Sequence, residues 1–145
     1  MINSGLMTWQ SWAFLSAVFA ALTAIFAKIG VSHINSDMAT LIRTVIILCV
    51  LALIVLATGQ WQELSGITSR TWLFLTLSGL ATGASWVCYF RALKIGDAAR
   101  VAPVDKLSIV LVAVFSVLIL GERLSATNWL GVGLCTAGIV LVAMR

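Results

Sequence analysis

Charge is what this sequence has least of. Only 10% of its 145 residues are Asp, Glu, Lys or Arg, against about 25% in a soluble domain. With 61% of the chain hydrophobic, a water-soluble fold of this size is excluded, because it has too little interior to hide so much apolar surface. Basic runs are also absent. The nine Lys and Arg are scattered, so a net charge of +4 builds no footprint for nucleic acid, and no nucleic-acid partner is expected. Cysteine is sparse. Cys49, Cys88 and Cys135 each stand alone in an apolar stretch, without disulfide or zinc-ligand spacing, and read as small buried hydrophobes. No paired carboxylates, metal-ligating cluster or Ser/His arrangement occurs, and the sole histidine, His33, falls in a loop. An enzyme, a bound metal and a cofactor are therefore not expected. The opening MINSGLMTWQ has no basic n-region and no clear small-residue cleavage site, so the first apolar run is expected to be retained as a span.

What is present is a set of five long apolar runs. The windows Trp9–Ala27, Ala39–Thr58, Trp72–Phe90, Val101–Leu120 and Leu124–Met144 each approach the roughly 20 residues needed to cross hydrocarbon. They are too long for barrel strands and do not alternate apolar with polar. The fold class is thus all-α integral membrane, with helices over about 9–30, 38–58, 72–93, 99–120 and 124–144. Short connections make each helix antiparallel to the one before. No linker divides the chain, so 1–145 reads as a single domain.

Five crossings put the termini on opposite faces. The face with the N-terminus, the 2–3 loop and the 4–5 loop collects Arg70 and Arg123. The other collects Lys28, Arg43, Arg91, Lys94, Arg100, Lys106 and Arg145. This bias makes the second face cytoplasmic, with the N-terminus outside and the C-terminus inside. Trp9, Trp12, Trp61, Trp72 and Trp129 gather at the opposite ends of the runs, as interfacial anchors do.

Three charges enter the runs: Arg43 in the second, Asp105 and Lys106 in the fourth. Each costs roughly 2.5 to 3.5 kcal/mol at a helix centre. Asp105 and Lys106 lie about one and a half turns from the cytoplasmic end, where snorkelling relieves part of that cost. One reading has Asp105 pairing with Arg43 or Lys106 around a polar recess; the plainer one has the charges pin helix ends and set topology. Trp86 and Tyr89 project from the third run near the same level and offer aromatic surface, or simply pack. Pro103 has two readings. In a first turn it is harmless; in a helix beginning near Ala98 it kinks the helix and frees a carbonyl. Lys28 reads as a snorkelling end residue, Asp37 as an N-cap or dipole partner, and Glu122–Arg123 as a solvated cap. Gly79-x-x-x-Gly83, Gly131, Gly133 and Gly138 read as close-packing faces.

The stretch from Gly79 to Ala143 resembles the EamA-type domain of the drug/metabolite transporter superfamily. It holds a Gly-rich third run ending in Tyr89-Phe90-Arg91-Ala92-Leu93, a Gly-x-Ala turn and a proline heading the fourth run. Leu120-Gly121-Glu122-Arg123-Leu124 follows, then a final run with Gly131 and Gly138. The resemblance covers roughly residues 9–144. Most members of that family carry two such domains in inverted topology, so the resemblance implies half of an inverted-repeat transporter, working as a homodimer with the substrate path between two copies. An antiparallel pair conflicts with the strong Lys/Arg bias. Either half the molecules insert against it, or the dimer is parallel, or the partner is another protein. Small multidrug exporters of the same superfamily rely on a glutamate in the first span, and Trp9–Ala27 contains no acid.

The expectation is a secondary transporter of a small metabolite in the cell inner membrane. Its substrate-pathway candidates are Arg43, Trp86, Tyr89, Pro103, Asp105 and Lys106. The alternative is a non-transporting membrane subunit whose charges dock a partner protein.

Overall fold

The computed structural model describes residues 8–144. The readings of the N-terminal segment before Thr8 and of Arg145 lie outside the described residues. Six α-helices occur among those described: α1 (Trp9–Val31), α2 (Ser36–Ala57), α3 (Ser69–Ile95), α4 (Ala98–Asp105), α5 (Ser108–Ile119) and α6 (Ala126–Ala143). There is no strand among them. Five stretches are long and apolar enough to cross a bilayer, with α4 and α5 together forming the fourth, Ala98–Ile119. Even the 18-residue α6 reaches about 27 Å, close to the thickness of the hydrocarbon. The protein is an all-α integral membrane protein with five membrane-spanning helices.

Burial identifies the solvent. Leu118 is 75% exposed and Leu134 66%, as are many other large apolar side chains, a surface that water would not tolerate and that lipid solvates. The three cysteines, expected to be buried, are exposed as well. In a bilayer an apolar side chain gains nothing from hiding inside the protein, because the tails around it are just as apolar.

Helix ends are closed by local chemistry. The Asn35 side chain accepts from the N–H groups of Asp37 and Met38 and caps α2. The cap is therefore Asn35, and Asp37 lies inside the first turn. At the other end Gly59 adopts φ +64°, the left-handed region that glycine enters without penalty. Its N–H reaches Leu56 O and the next N–H reaches Val55 O, a Schellman closure. A 3₁₀ turn, Leu64–Gly66, leads to α3, where Thr68 Oγ1 accepts from the Thr71 N–H. Ser125 caps α6 by accepting from the Asn128 N–H.

The fourth crossing is interrupted. Its helix begins at Ala98, so Pro103 is the sixth residue of α4 rather than a first-turn residue. Lacking an N–H, it cannot bond back to the carbonyl of Ala99. Two residues later the α pattern stops. Lys106 N–H bonds Pro103 O, Leu107 bonds Val104 O, Ile109 bonds Lys106 O and Val110 bonds Leu107 O, all spanning three residues rather than four. This tightening separates α4 from α5, about 12 Å along the axis from Ala98.

The chain packs as two compact units. One is Phe26–Lys94; the other joins the part of α1 up to Ile25 with Ile95 and all that follows. In the first, Val31, Phe90 and Leu93 are buried together with Ala27, Ala39 and Thr40. In the second, α6 packs on both α4 and α5. The glycines expected to make close helix contacts do not make them within this chain: a methyl group added at Gly79, Gly83, Gly131, Gly133 or Gly138 meets nothing within 4 Å.

Candidate functional site

Within the unit Phe26–Lys94, three polar constructions rest on α2, α3 and the end of α1. The first is Arg43. Its Cζ lies 4.3 Å from the centroid of the Trp86 ring and 5.4 Å from that of Phe90. A cation placed over an aromatic face is attracted to the ring quadrupole. Tyr89 meets Phe90 edge-on, with centroids 6.4 Å apart and planes at 67°.

The second construction is an ion pair. Arg91 Nε donates to Asp37 Oδ1 at 3.0 Å and Nη2 to Oδ2 at 2.8 Å, a two-pronged fork tying α3 to the first turn of α2. Both side chains remain at least half exposed. The acid also lies where the positive end of the α2 dipole favours it.

The third is a reciprocal pair of lysines. Lys28, near the end of α1, donates Nζ to Leu93 O at 2.7 Å. Lys94, near the end of α3, donates Nζ to Val31 O at 2.7 Å and to Ser32 O and Ile34 O at 2.9 Å. Each helix thus lends its cation to the carbonyl end of the other, where unpaired C=O groups and the negative dipole end both want one. Lys28 is therefore a cap for a neighbouring helix and not a simple snorkelling residue.

In the other unit, Asp105 and Lys106 stand at the break between α4 and α5, paired at 3.1 Å. Of the two partners the sequence offers Asp105, the structure provides Lys106. With the helix starting at Ala98, both charges lie two turns in, deeper than the apolar run alone suggests. An open groove of about 570 Å³ runs between α5 and α6, with Ser108, Ser116, Glu122 and Asn128 among its lining. Glu122 thus faces a groove, where the sequence suggested only a solvated cap.

The structure therefore brings Arg43 to Trp86, and joins Asp105 to Lys106 two residues after Pro103. Sequence reasoning missed the Asp37–Arg91 fork, the lysine exchange and the groove polar groups. Lysines in the last turns of α1 and α3 were a usable signal; a fork between residues 54 positions apart was not.

The profile of the EamA-like transporter family matches residues 7–144, nearly the whole chain. The chain belongs to this family. It is also similar to an uncharacterized transporter in the cobO 3′ region of Sinorhizobium sp., with 72% identity over 137 residues that cover 94% of this chain and 97% of the relative. No solved structure matches. Membership makes this EamA-like chain a membrane transporter, and the five crossings agree with it.

Proposed function

We propose that this EamA-like protein is a secondary transporter of a small metabolite across the cytoplasmic membrane, and that residues 1–145 act as one domain of a homodimer. The observation that carries the reading is the interrupted fourth crossing. Irregular backbone at membrane depth is tolerated where it is enclosed by protein or lines a water-filled cavity. Transporters use such broken helices to present backbone and charge to a solute. Here the break coincides with the ionised pair Asp105–Lys106.

In this reading Pro103 makes the break, and Asp105 and Lys106 flank the solute path from the cytoplasmic side. Arg43, Trp86 and Tyr89, in the other unit, are further candidates for contact with the solute. The Lys/Arg bias supports an N-terminus outside and a C-terminus in the cytoplasm. That orientation holds for one copy; the second inserts against the bias and lies antiparallel to the first, supplying the inverted repeat that two-domain relatives carry in one chain.

The test is flux. Purified protein reconstituted in vesicles is given a panel of labelled amino acids, amines, sugars and organic acids. At least one solute should enter faster than in protein-free vesicles, and replacing Asp105 by Asn should slow it. No flux from any solute, with a stable hetero-complex on purification, overturns transport in favour of a docking subunit.

A further inference from the structure

Arg43 is the eighth residue of α2, about 10 Å along the axis from Ser36. No carboxylate among the described residues pairs with it; the ion pairs there are Arg91–Asp37 and Lys106–Asp105. Asp37, six residues earlier on the same helix, already gives both oxygens to Arg91. Trp86 and Phe90 stabilise the cation through their ring faces, and no ion pair among the described residues takes up its hydrogen-bond donors. The two rings hold the guanidinium carbon in place before any partner arrives. A fixed, planar, double donor in a low-dielectric setting fits a planar oxyanion, which it binds through two parallel N–H···O bonds.

We propose that Arg43, braced by Trp86 and Phe90, binds the carboxylate of the transported solute, so that the substrate class is small organic carboxylates. This rests on the transport reading above. It requires arginine specifically, since a lysine ammonium neither stacks as a plane nor presents a fork. The shared oxyanion chemistry has a second source in the phosphate of a lipid headgroup, and the experiment separates the two.

The full chain, purified in a phosphate-free maltoside detergent, is titrated calorimetrically with acetate, benzoate and indole-3-acetate and with the neutral amide of each. At least one carboxylate should bind about tenfold or more tightly than its amide. Arg43→Gln should erase that preference and Arg43→Lys should keep only part of it, with helicity unchanged by circular dichroism. If Arg43→Gln does not fold, Trp86→Leu serves instead, weakening the carboxylate and leaving the amide unaffected. Equal binding of acids and amides, no binding of any acid, or a preference that survives Arg43→Gln overturns the assignment. Repeating the titration in nanodiscs containing phosphatidylglycerol should leave acid binding in place; loss there alone means that lipid phosphate occupies Arg43, which also overturns it. In proteoliposomes, acid binding without flux removes the transport reading and keeps the site. Flux of amines or sugars that is identical in wild type and Arg43→Gln removes the site and keeps transport.

Discussion

Lys94 holds three carbonyl oxygens at the end of α1 and the following loop, while Lys28 holds one at the end of α3. Their removal should therefore be unequal. Replacing Lys28 by Met should cost about 1.5 kcal/mol, the low end for a hydrogen bond from a charged donor, as fits the wet edge of the bilayer, and Lys94→Met should cost more. Unfolding midpoints in mixed micelles check the order; equal and negligible losses would mean that both ammonium groups are solvated instead. The Asp37–Arg91 fork invites a charge exchange. Asp37→Arg or Arg91→Asp alone should loosen the contact between α2 and α3. The double exchange should recover only part of the loss, because it restores the pair but leaves a cation at the start of α2 and an anion near the end of α3, against both dipoles. Hydrogen exchange at the first turn of α2 reads this directly. At this scale the sequence revealed charges but few of their partners. Arg43, Asp105 and Lys106 stand out because charge is rare in apolar runs. The acceptors of Lys28 and Lys94 are backbone carbonyls, which carry no residue identity to read.

The helices themselves were legible, because twenty apolar residues in a row leave few alternatives. Their ends were less so. The fourth apolar run starts at Val101, just after Arg100, yet the helix starts at Ala98, with the Asp97 carbonyl already accepting from Arg100 and Val101. Hydrophobicity stops at a charge; helical geometry does not. That shift of three residues moves Pro103 from a harmless first turn into the helix interior, just before the break. Replacing Pro103 by Ala should restore the bond to the Ala99 carbonyl and join α4 to α5. The expected result is a more stable protein, by up to about 3 kcal/mol from helix propensity, that transports more slowly. Stability from micelle unfolding and initial flux from vesicles check the two halves; flux unchanged in a demonstrably straightened helix would remove the break from the mechanism. The glycines show the opposite failure. Their spacing suggested close contacts, but small-residue spacing arises readily in Gly- and Ala-rich helices, and within this chain each glycine faces open space.

For the whole molecule, composition alone decided the solvent and the span count, and the Lys/Arg asymmetry suggested an orientation. In the homodimer proposed above, which way the second copy faces is set by surfaces that meet only in the pair, not by a pattern within one chain. Single cysteines at Gln62, between α2 and α3, and at Gly96, between α3 and α4, resolve it once Cys49, Cys88 and Cys135 are replaced by Ser. An antiparallel dimer predicts that an impermeant maleimide added from outside labels about half of each site, because equal numbers of molecules point each way. All-or-none labelling would establish a single orientation and exclude the antiparallel pair.

The exchange of lysines between α1 and α3 restricts how the protein can move. For the end of α1 to slip past α3 by a helical turn, four ammonium–carbonyl bonds would have to rupture together. A clasp of this kind makes those two tips travel as one piece. Whatever movement carries cargo over is therefore pushed towards joints with less to break, and the overwound knuckle at residues 106–107 is one of them.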